Sequence, residues 1–219
     1  MVTKMYYPIF ADVENRHCLV VGGGLIAQRK VTMLLACGAK VTVVSPQVTV
    51  RLRTYAQQGK IRVTARQFRP TDVRGAWLVC AATNNQTINQ RVFESASRLS
   101  IFTNVVDQTP LCSFIAPVIL RRGPLTVAVS TGGASPSLAK RVRQEVDQML
   151  GREYVPMLHL LSGLRSMAKR KLPSYGDRKR YFDELVQGRV FGLVRRAQYR
   201  QAKREALATL TRHAGSNGT

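Results

Sequence analysis

Residues 19–27 read Leu-Val-Val-Gly-Gly-Gly-Leu-Ile-Ala, an apolar strand pattern that passes through three glycines into a helical pattern. Gly22, Gly24 and Ala27 occupy the small-residue positions of the dinucleotide motif G-x-G-x-x-G/A. In this motif the first glycine permits a tight turn, the second admits a pyrophosphate, and the third small residue lets the helix pack closely. The stretch therefore predicts dinucleotide binding at a helix N-terminus. A purely structural glycine turn is the alternative.

Strand and helix patterns alternate through the first half of the chain. The strand patterns lie at 17–22, 41–45, 61–65, 76–83 and 101–106, and the helix patterns lie at 25–37, 49–58 and 85–99. This alternation predicts an α/β fold with a Rossmann-like, doubly wound parallel sheet over residues 1–113.

The pattern changes after residue 113. A β-branched strand pattern at 125–130 and a helix that opens at Ser135-Pro136 predict a small α+β region over residues 114–150. From residue 151 the chain is rich in Arg, Leu and Ala, with one break near 172–176. This composition predicts a helical C-terminal domain over residues 151–219.

The chain carries 34 lysines and arginines against 12 acidic residues, which gives a net charge of +22. Such a field attracts polyanions, so nucleic acid and a small polycarboxylate substrate are both candidate partners. A charge that only favours solubility is the alternative. Aromatic residues make up 7% of the chain and offer few stacking groups, which disfavours nucleic acid.

The cysteines and histidines do not form a metal-binding pattern. The four cysteines are far apart and include no C-x-x-C pair, and the three histidines are isolated. The sequence therefore predicts neither a zinc site nor a redox dithiol, and we expect no metal site. It also has no run of about 20 apolar residues and no signal-peptide pattern, so we expect no membrane association and a cytoplasmic location.

The second strand ends at Ser45-Pro46-Gln47, where dinucleotide domains usually carry an acid for the ribose 2′-hydroxyl. This chain has no carboxylate there, so we predict that Ser45, Pro46 and Gln47 contact the adenosine ribose themselves. Three basic residues could instead accommodate a 2′-phosphate: Arg29, Lys30 and Arg51. The pattern leaves NAD and NADP both open.

Candidate site residues also follow the fourth and fifth strands. Thr83 and Asn84 would suit the wall of a cofactor cleft, although an ordinary helix cap at Asn84 or Asn85 is the alternative. The fifth strand ends in Asn104-Val-Val-Asp107. Because a carboxylate at this edge lies near the position of a nicotinamide, Asp107 is the candidate catalytic residue for proton transfer. A loop-capping aspartate is the alternative.

A second glycine loop spans Ser130-Thr131-Gly132-Gly133-Ala134-Ser135-Pro136 and leads into a helix N-terminus. Backbone N–H groups in such a loop can bind a carboxylate. We therefore predict that four of its residues bind substrate together with Asn104: Ser130, Thr131, Gly132 and Gly133. A flexible turn is the alternative.

These motifs, taken in order, resemble the siroheme synthase N-terminal family, which includes precorrin-2 dehydrogenases and sirohydrochlorin ferrochelatases. The matching segments are 7–10, 18–24, 27–30, 104–107, 113–117 and 127–136, with a weaker likeness through 176–182. The glycine loop alone is not specific, whereas the joint order of the segments is.

The resemblance implies NAD-dependent oxidation of precorrin-2 to sirohydrochlorin and, for some members, insertion of ferrous iron to give siroheme. It also implies a homodimer in which the 114–150 region takes part in dimerisation. Precorrin-2 carries eight carboxylates, so the basic composition agrees with this substrate.

The resemblance places the essential aspartate of the family at Asp107. It places nucleotide contacts at Leu25 and Ile26, directly after the glycines, and at Pro46 and Gln47. Two other functions compete with this interpretation: a basic nucleic-acid-binding protein and a nucleotide-sensing protein on the same fold. Asp107 and the second glycine loop favour the enzyme.

Overall fold

A five-stranded parallel sheet organises the first part of the computed structural model, which describes residues 5–215. Its strands are β1 (His17–Val21), β2 (Lys40–Val44), β3 (Ile61–Thr64), β4 (Leu78–Ala81) and β5 (Phe102–Val105). They lie in the order β3-β2-β1-β4-β5. The chain direction across the sheet therefore reverses at β1, and open α/β sheets bind ligands at the carboxyl ends of the strands beside such a reversal. The predicted Rossmann-like sheet is confirmed.

Helices cover both faces of this sheet. They are α1 (Leu25–Ala36), α2 (Val50–Gln57) and α3 (Gln86–Ser97). Ala27 of α1 and Leu52 of α2 pack into one core with alternate strand residues such as Val20. Val92 of α3 packs into a second core with residues such as Val21. Because successive strand residues point to opposite faces, a strand buried on both sides is apolar, as β4 is throughout and β1 is after His17.

An antiparallel hairpin and one helix follow. The hairpin joins β6 (Val118–Arg122) to β7 (Leu125–Val129), and α4 spans Pro136–Met149. Strand β7 was predicted from the sequence and β6 was not, because only three apolar residues precede the two arginines of β6. Arg122, the last residue of β6, forms an ion pair with Asp147 of α4, with 2.6 Å between Nη2 and Oδ1. This pair explains why the strand ends in an arginine.

The described residues after α4 form four helices rather than the two expected from one predicted break. They are α5 (Tyr154–Lys171), α6 (Tyr175–Gln187), α7 (Arg189–Arg195) and α8 (Tyr199–Gly215). The break near 172–176 is correct, and two further breaks were missed. Gly188 separates α6 from α7, and Ala197 separates α7 from α8 with a φ of +58°. A β-carbon on Gly188 would lie 2.6 Å from the carbonyl oxygen of Glu184, so this turn requires glycine.

The described residues divide into two compact units. The first contains the chain up to Ala116 together with Gly132–Ser135, and the second contains Pro117–Thr131 and the chain from Pro136 onward. The predicted division into 1–113, 114–150 and 151–219 stays a prediction. Within residues 5–215, no helix is long and apolar enough to cross a membrane.

A partly buried ion pair closes the loop between β3 and β4. Arg66 donates two hydrogen bonds to Asp72, at 2.8 Å and 2.7 Å, and the backbone N–H of Arg69 donates a third at 2.8 Å. The Asp72 side chain is only 10% exposed. The bond from Arg66 is the main reason why the pKa of Asp72 lies below its usual value. The pair holds a short 3-10 turn, Pro70–Val73, which buries Val73 against the sheet.

We expect Asp72→Asn to lower the free energy of unfolding by about 1–3 kcal/mol at pH 7, because the substitution removes charge-assisted hydrogen bonds from a partly buried site. The folded pKa is below the unfolded one, so the carboxylate stabilises the fold above about pH 4. That stabilisation is lost as the pH falls through the folded value. Urea unfolding of both proteins at pH 7, 5 and 3 measures the difference, which should shrink at pH 3. The exposed substitution Glu94→Gln is the control, and an equal loss in that variant would contradict the assignment.

Candidate active site

A cleft of about 530 Å³ lies at the carboxyl ends of β1, β2 and β4. Seven of the residues predicted to bind the cofactor line it: Gly22, Gly24, Ser45, Pro46, Gln47, Thr83 and Asn84. Residues from three separated segments therefore meet at one edge of the sheet. This is the edge at which the glycine motif predicted a dinucleotide.

The glycine loop is shaped by backbone that passes very close to it. Gly22 has a φ of +120°, and a β-carbon there would lie 2.2 Å from the carbonyl oxygen of Ala82. A β-carbon on Gly23 would lie 1.9 Å from the carbonyl oxygen of Gln47. Gly24 differs, because a β-carbon there would meet no atom within 4 Å. Packing thus requires the first two glycines, whereas the third leaves open space for a ligand.

Helix α1 begins directly at this open space. Gly24 is its N-cap residue, the helix has no acidic side chain in its first turn, and no side chain caps it within the described residues. Its first N–H groups are therefore available to an anion. Ala27 is fully buried and packs against the sheet, as the motif requires.

Leu25 and Ile26 do not line the cleft. The two residues are 65% and 43% exposed. Their predicted contacts with the nucleotide stay a prediction, and in this geometry the contacts would come from the backbone of the first helical turn.

The end of β2 is tied to the glycine loop by hydrogen bonds. The hydroxyl of Ser45 donates to the carbonyl oxygen of Gln47 at 2.7 Å. The N–H of Thr49 donates to the carbonyl oxygen of Gly23 at 2.9 Å, and its hydroxyl donates to Gln28 Oε1 at 2.7 Å. Because its hydroxyl proton is engaged, Ser45 is left with acceptor capacity for a ribose hydroxyl.

The structure adds cleft residues that the sequence analysis missed. They are Gly23, Val48, Thr49, Gln67, Phe68 and Ile88, together with the strand ends Val21, Val44 and Ala82. Gln67 and Phe68 follow β3. Their position at the cleft could have been predicted, because the carboxyl ends of parallel strands share one edge of the sheet. The cleft lining contains no acidic or basic side chain. Arg29, Lys30 and Arg51, considered for a 2′-phosphate, therefore lie outside it.

The segment after β4 forms both the cleft wall and the helix cap that the sequence left open as alternatives. Asn85 is the N-cap of α3, and its Oδ1 accepts from the N–H of Ile88 at 3.0 Å. Thr83 donates to Oδ1 of the buried Asn89 at 2.7 Å, and Asn84 is exposed at the cleft. One residue of the segment caps the helix, while the two before it form the cleft wall.

Asp107 lies in a turn just beyond β5, outside the cleft lining. The residue is exposed and has a φ of +57°, a conformation that aspartate tolerates better than most residues. The buried thiol of Cys112 holds this turn: Sγ lies 3.2 Å from the N–H and the carbonyl oxygen of Val105 and 3.4 Å from the carbonyl oxygen of Gln108. The carboxylate therefore stands on a fixed turn at the same edge of the sheet as the glycine loop.

Part of the second glycine loop passes beside this turn. Gly132 and Gly133 belong to the first unit, and their φ angles are +65° and +91°. A β-carbon on Gly133 would lie 3.5 Å from the hydroxyl of Thr109, two residues after Asp107. Ser130 and Thr131 belong to the second unit. The structure thus brings one of the four predicted loop residues, Gly133, next to the candidate catalytic turn.

Asn104 points into the first unit rather than into the cleft. It is 6% exposed, and its Nδ2 donates to the carbonyl oxygen of Phe114 at 3.2 Å. Its Oδ1 accepts from Lys30 Nζ at 2.8 Å. Its predicted contact with substrate stays a prediction. Over residues 5–215, no group of three or more His, Cys, Asp or Glu residues could hold a metal ion.

Three family models match consecutive parts of the chain. An NAD(P)-binding family covers residues 9–118, a sirohaem biosynthesis protein central region covers 122–149, and a sirohaem synthase dimerisation region covers 153–210. The chain belongs to the siroheme synthase N-terminal family. Its first half is an NAD(P)-binding domain, as the glycine loop predicted.

Individual relatives agree with this membership. The chain is 37% identical to a siroheme synthase of Mannheimia succiniciproducens over 94% of its own length and 44% of that protein. It is 38% identical to a siroheme synthase of Neisseria meningitidis over 91% of its own length and 42% of that protein. The chain thus spans less than half the length of these curated relatives.

A solved structure titled "SirC, precorrin-2 dehydrogenase" is similar over almost the whole chain. The TM-score is 0.76 at 27% identity, and the match covers 94% of this chain and 100% of the other.

The different roles of the glycines can be tested by comparing Gly22→Ala with Gly24→Ala. We expect Gly22→Ala to lower the free energy of unfolding by about 2 kcal/mol or more, since it combines a positive φ with a backbone clash. Gly24→Ala should cost about 1 kcal/mol or less. It should nevertheless weaken NAD binding at least tenfold, because its methyl group would occupy the pyrophosphate position. Urea unfolding and calorimetric titration with NAD measure the two effects.

Gly163→Ala is the control, because this helical glycine of α5 has open space around its β-carbon position. It should raise the free energy of unfolding by about 0.5–1 kcal/mol, as expected for an exposed glycine inside a helix, and leave NAD affinity unchanged. Unchanged NAD affinity in Gly24→Ala would contradict the placement of the pyrophosphate at this glycine.

Proposed function

We propose that the protein oxidises precorrin-2 to sirohydrochlorin with NAD. The observation that carries the proposal is the juxtaposition, on one sheet edge, of a dinucleotide cleft and the turn that presents Asp107, with Gly133 packed beside that turn. The likeness to a precorrin-2 dehydrogenase over its whole length supports the same conclusion.

The protein's contribution to the reaction is binding, positioning and proton transfer. The dinucleotide would be held by Gly22 and Gly24, by the first turn of α1, and by residues 45–47 after β2. When bound, the nicotinamide supplies the hydride acceptor for the reduced macrocycle. Oxidation also releases a proton, and the exposed carboxylate of Asp107, fixed on its turn by Cys112, is positioned to take it.

The basic composition and the second glycine loop fit the substrate. A macrocycle with eight carboxylates is attracted by a net charge of +22. The backbone of Gly132 and Gly133, together with Ser130 and Thr131, would bind one of these carboxylates. Ferrous iron is proposed as a second substrate. Its insertion into sirohydrochlorin gives siroheme and displaces two ring N–H protons, which Asp107 would accept in turn and pass to solvent. The ring nitrogens would hold this iron, so the chemistry needs no cluster of protein ligands.

We further propose that the protein works as a homodimer in the cytoplasm. The match of residues 153–210 to a dimerisation region supports the association. The predicted role of residues 114–150 in dimerisation remains part of this proposal.

Asp107→Asn is the sharpest test of the catalytic role. Asparagine tolerates the positive φ of this position and keeps the size of the side chain, whereas alanine would add backbone strain. We expect oxidation of precorrin-2 to fall at least 100-fold while NAD affinity stays within about twofold, since general-base catalysis contributes about 10²–10⁴-fold. Anaerobic incubation with precorrin-2 and NAD, followed by the absorbance of sirohydrochlorin, measures the rate.

The matched control is Glu94→Gln, which removes an acidic group from an exposed face of α3. It should oxidise precorrin-2 at the wild-type rate. Near-wild-type turnover by Asp107→Asn would remove Asp107 from the mechanism, and an inactive wild type would refute the proposed reaction. Ferrous iron added after oxidation tests siroheme formation separately.

The uncharged lining of the cleft predicts a preference for NAD over NADP. No lysine or arginine lines the cleft, so a 2′-phosphate would lack a charge partner there. We expect NADP to bind at least tenfold more weakly than NAD in calorimetric titrations. Gln47→Arg should narrow that difference by placing a guanidinium at the exposed end of β2. Equal affinities in the wild type would contradict the proposal.

A further inference from the structure

Lys30 extends from α1 toward the side of the sheet that carries Asp107. Its Nζ donates to Asn104 Oδ1 at 2.8 Å, which links the second turn of α1 to the penultimate residue of β5. Cys80 of β4 is paired in register with Asn104. Burial raises the pKa of the Cys80 thiol to about 11, and the nearby Lys30 ammonium opposes that rise. Lys30 therefore lies over β4 and β5, away from the ribose end of the cleft.

Asn104 has little freedom to point elsewhere. Its Nδ2 donates to the carbonyl oxygen of Phe114 at 3.2 Å, so its Oδ1 must face the opposite direction, toward Lys30. The residue is 6% exposed and cannot exchange these partners for water without a rearrangement. One N–H of the ammonium is therefore fixed by a buried amide, and the other two remain available.

No acidic side chain among the described residues pairs with the charge of Lys30. Among the described residues, Lys30 forms no ion pair, and its one recorded hydrogen bond goes to a neutral amide. Arg66, in the same unit, has its charge matched by Asp72 at 2.7 Å. Lys30 is half-buried, whereas an unpaired lysine normally extends its head group into water. A partly desolvated ammonium in this position is stabilised when an anion binds to it.

We propose that Lys30 is a substrate-binding residue that takes a carboxylate of the tetrapyrrole, held ready by Asn104. The proposal rests on the proposed function for the identity of this polycarboxylate. Through its bond to Asn104, Lys30 connects the helix that begins at the glycine loop with the strand that leads to Asp107, three residues beyond Asn104. A carboxylate bound there would orient the macrocycle between the cofactor and the candidate base.

Three substitutions separate charge from hydrogen bonding. Lys30→Met removes both, Lys30→Gln keeps a donor for Asn104 without the charge, and Lys30→Arg keeps the charge. Lys40→Met is the control, because Lys40 is an exposed lysine at the opposite end of β2 and the net charge changes equally. The probe is sirohydrochlorin, whose binding to each full-length variant is measured anaerobically by absorbance titration. NAD affinity and thermal melting are recorded in parallel.

We expect Lys30→Met and Lys30→Gln to raise the Kd for sirohydrochlorin at least tenfold, and Lys30→Arg and Lys40→Met to stay within about threefold. NAD affinity should stay within about twofold in all four variants. Wild-type affinity for sirohydrochlorin in Lys30→Gln would overturn the proposal, because Lys30 would then only position Asn104. A tenfold loss of NAD affinity would also overturn it, by assigning Lys30 to the cofactor.

The failure of this proposal is distinguishable from the failure of the proposed function. A wild type that binds sirohydrochlorin but does not oxidise precorrin-2 refutes the proposed function. The Lys30 variants would still show whether Lys30 binds a carboxylate of the tetrapyrrole. A wild type that does not bind sirohydrochlorin overturns the assignment of Lys30. If Lys30→Met does not fold, the comparison of Lys30→Gln with Lys30→Arg gives the same decision.

Discussion

The close approach of backbone to backbone at the glycine loop is the constraint on which the first unit depends. The carbonyl oxygens of Ala82 and Gln47 occupy the space that β-carbons on Gly22 and Gly23 would need. The segments after β4 and β2 are thereby drawn against the end of β1. The cleft exists because these three strand ends converge, and the described residues that line it are uncharged.

The sequence made the sheet and the glycine cleft predictable because both depend on local, periodic signals. Apolar runs such as the one ending at Val21, each followed by a glycine or cap residue and a helix, specify a parallel sheet almost directly. The position of Thr83 and Asn84 at the cleft followed from the rule that parallel strands end at a common edge. Strand β6 was not predictable in this way, because Arg122 resembles a surface residue until Asp147 is seen beside it.

The contacts that hold Asp107 and Lys30 were beyond sequence reasoning for a different reason. The bond from Lys30 to Asn104 joins residues 74 positions apart. The thiol of Cys112 fixes the Asp107 turn through the backbone of Val105, and a lone cysteine in a sequence carries no signal of such a role. Local pattern therefore identified the candidate residues, whereas their orientation depends on long-range packing. The strongly basic composition likewise indicated a polyanionic partner without showing which cations face it.

The same Cys112 segment has a consequence for how copies of the protein can associate. Strand β5 is an outer strand of the sheet, and such strands can accept a further strand from another molecule. Here the outward N–H and carbonyl of Thr103 are bonded to Ser113, and those of Val105 are bonded to Cys112. With these groups occupied, this edge is closed to β-augmentation. Neither a second copy nor an aggregating strand can extend the sheet along β5 without first displacing residues 112 and 113.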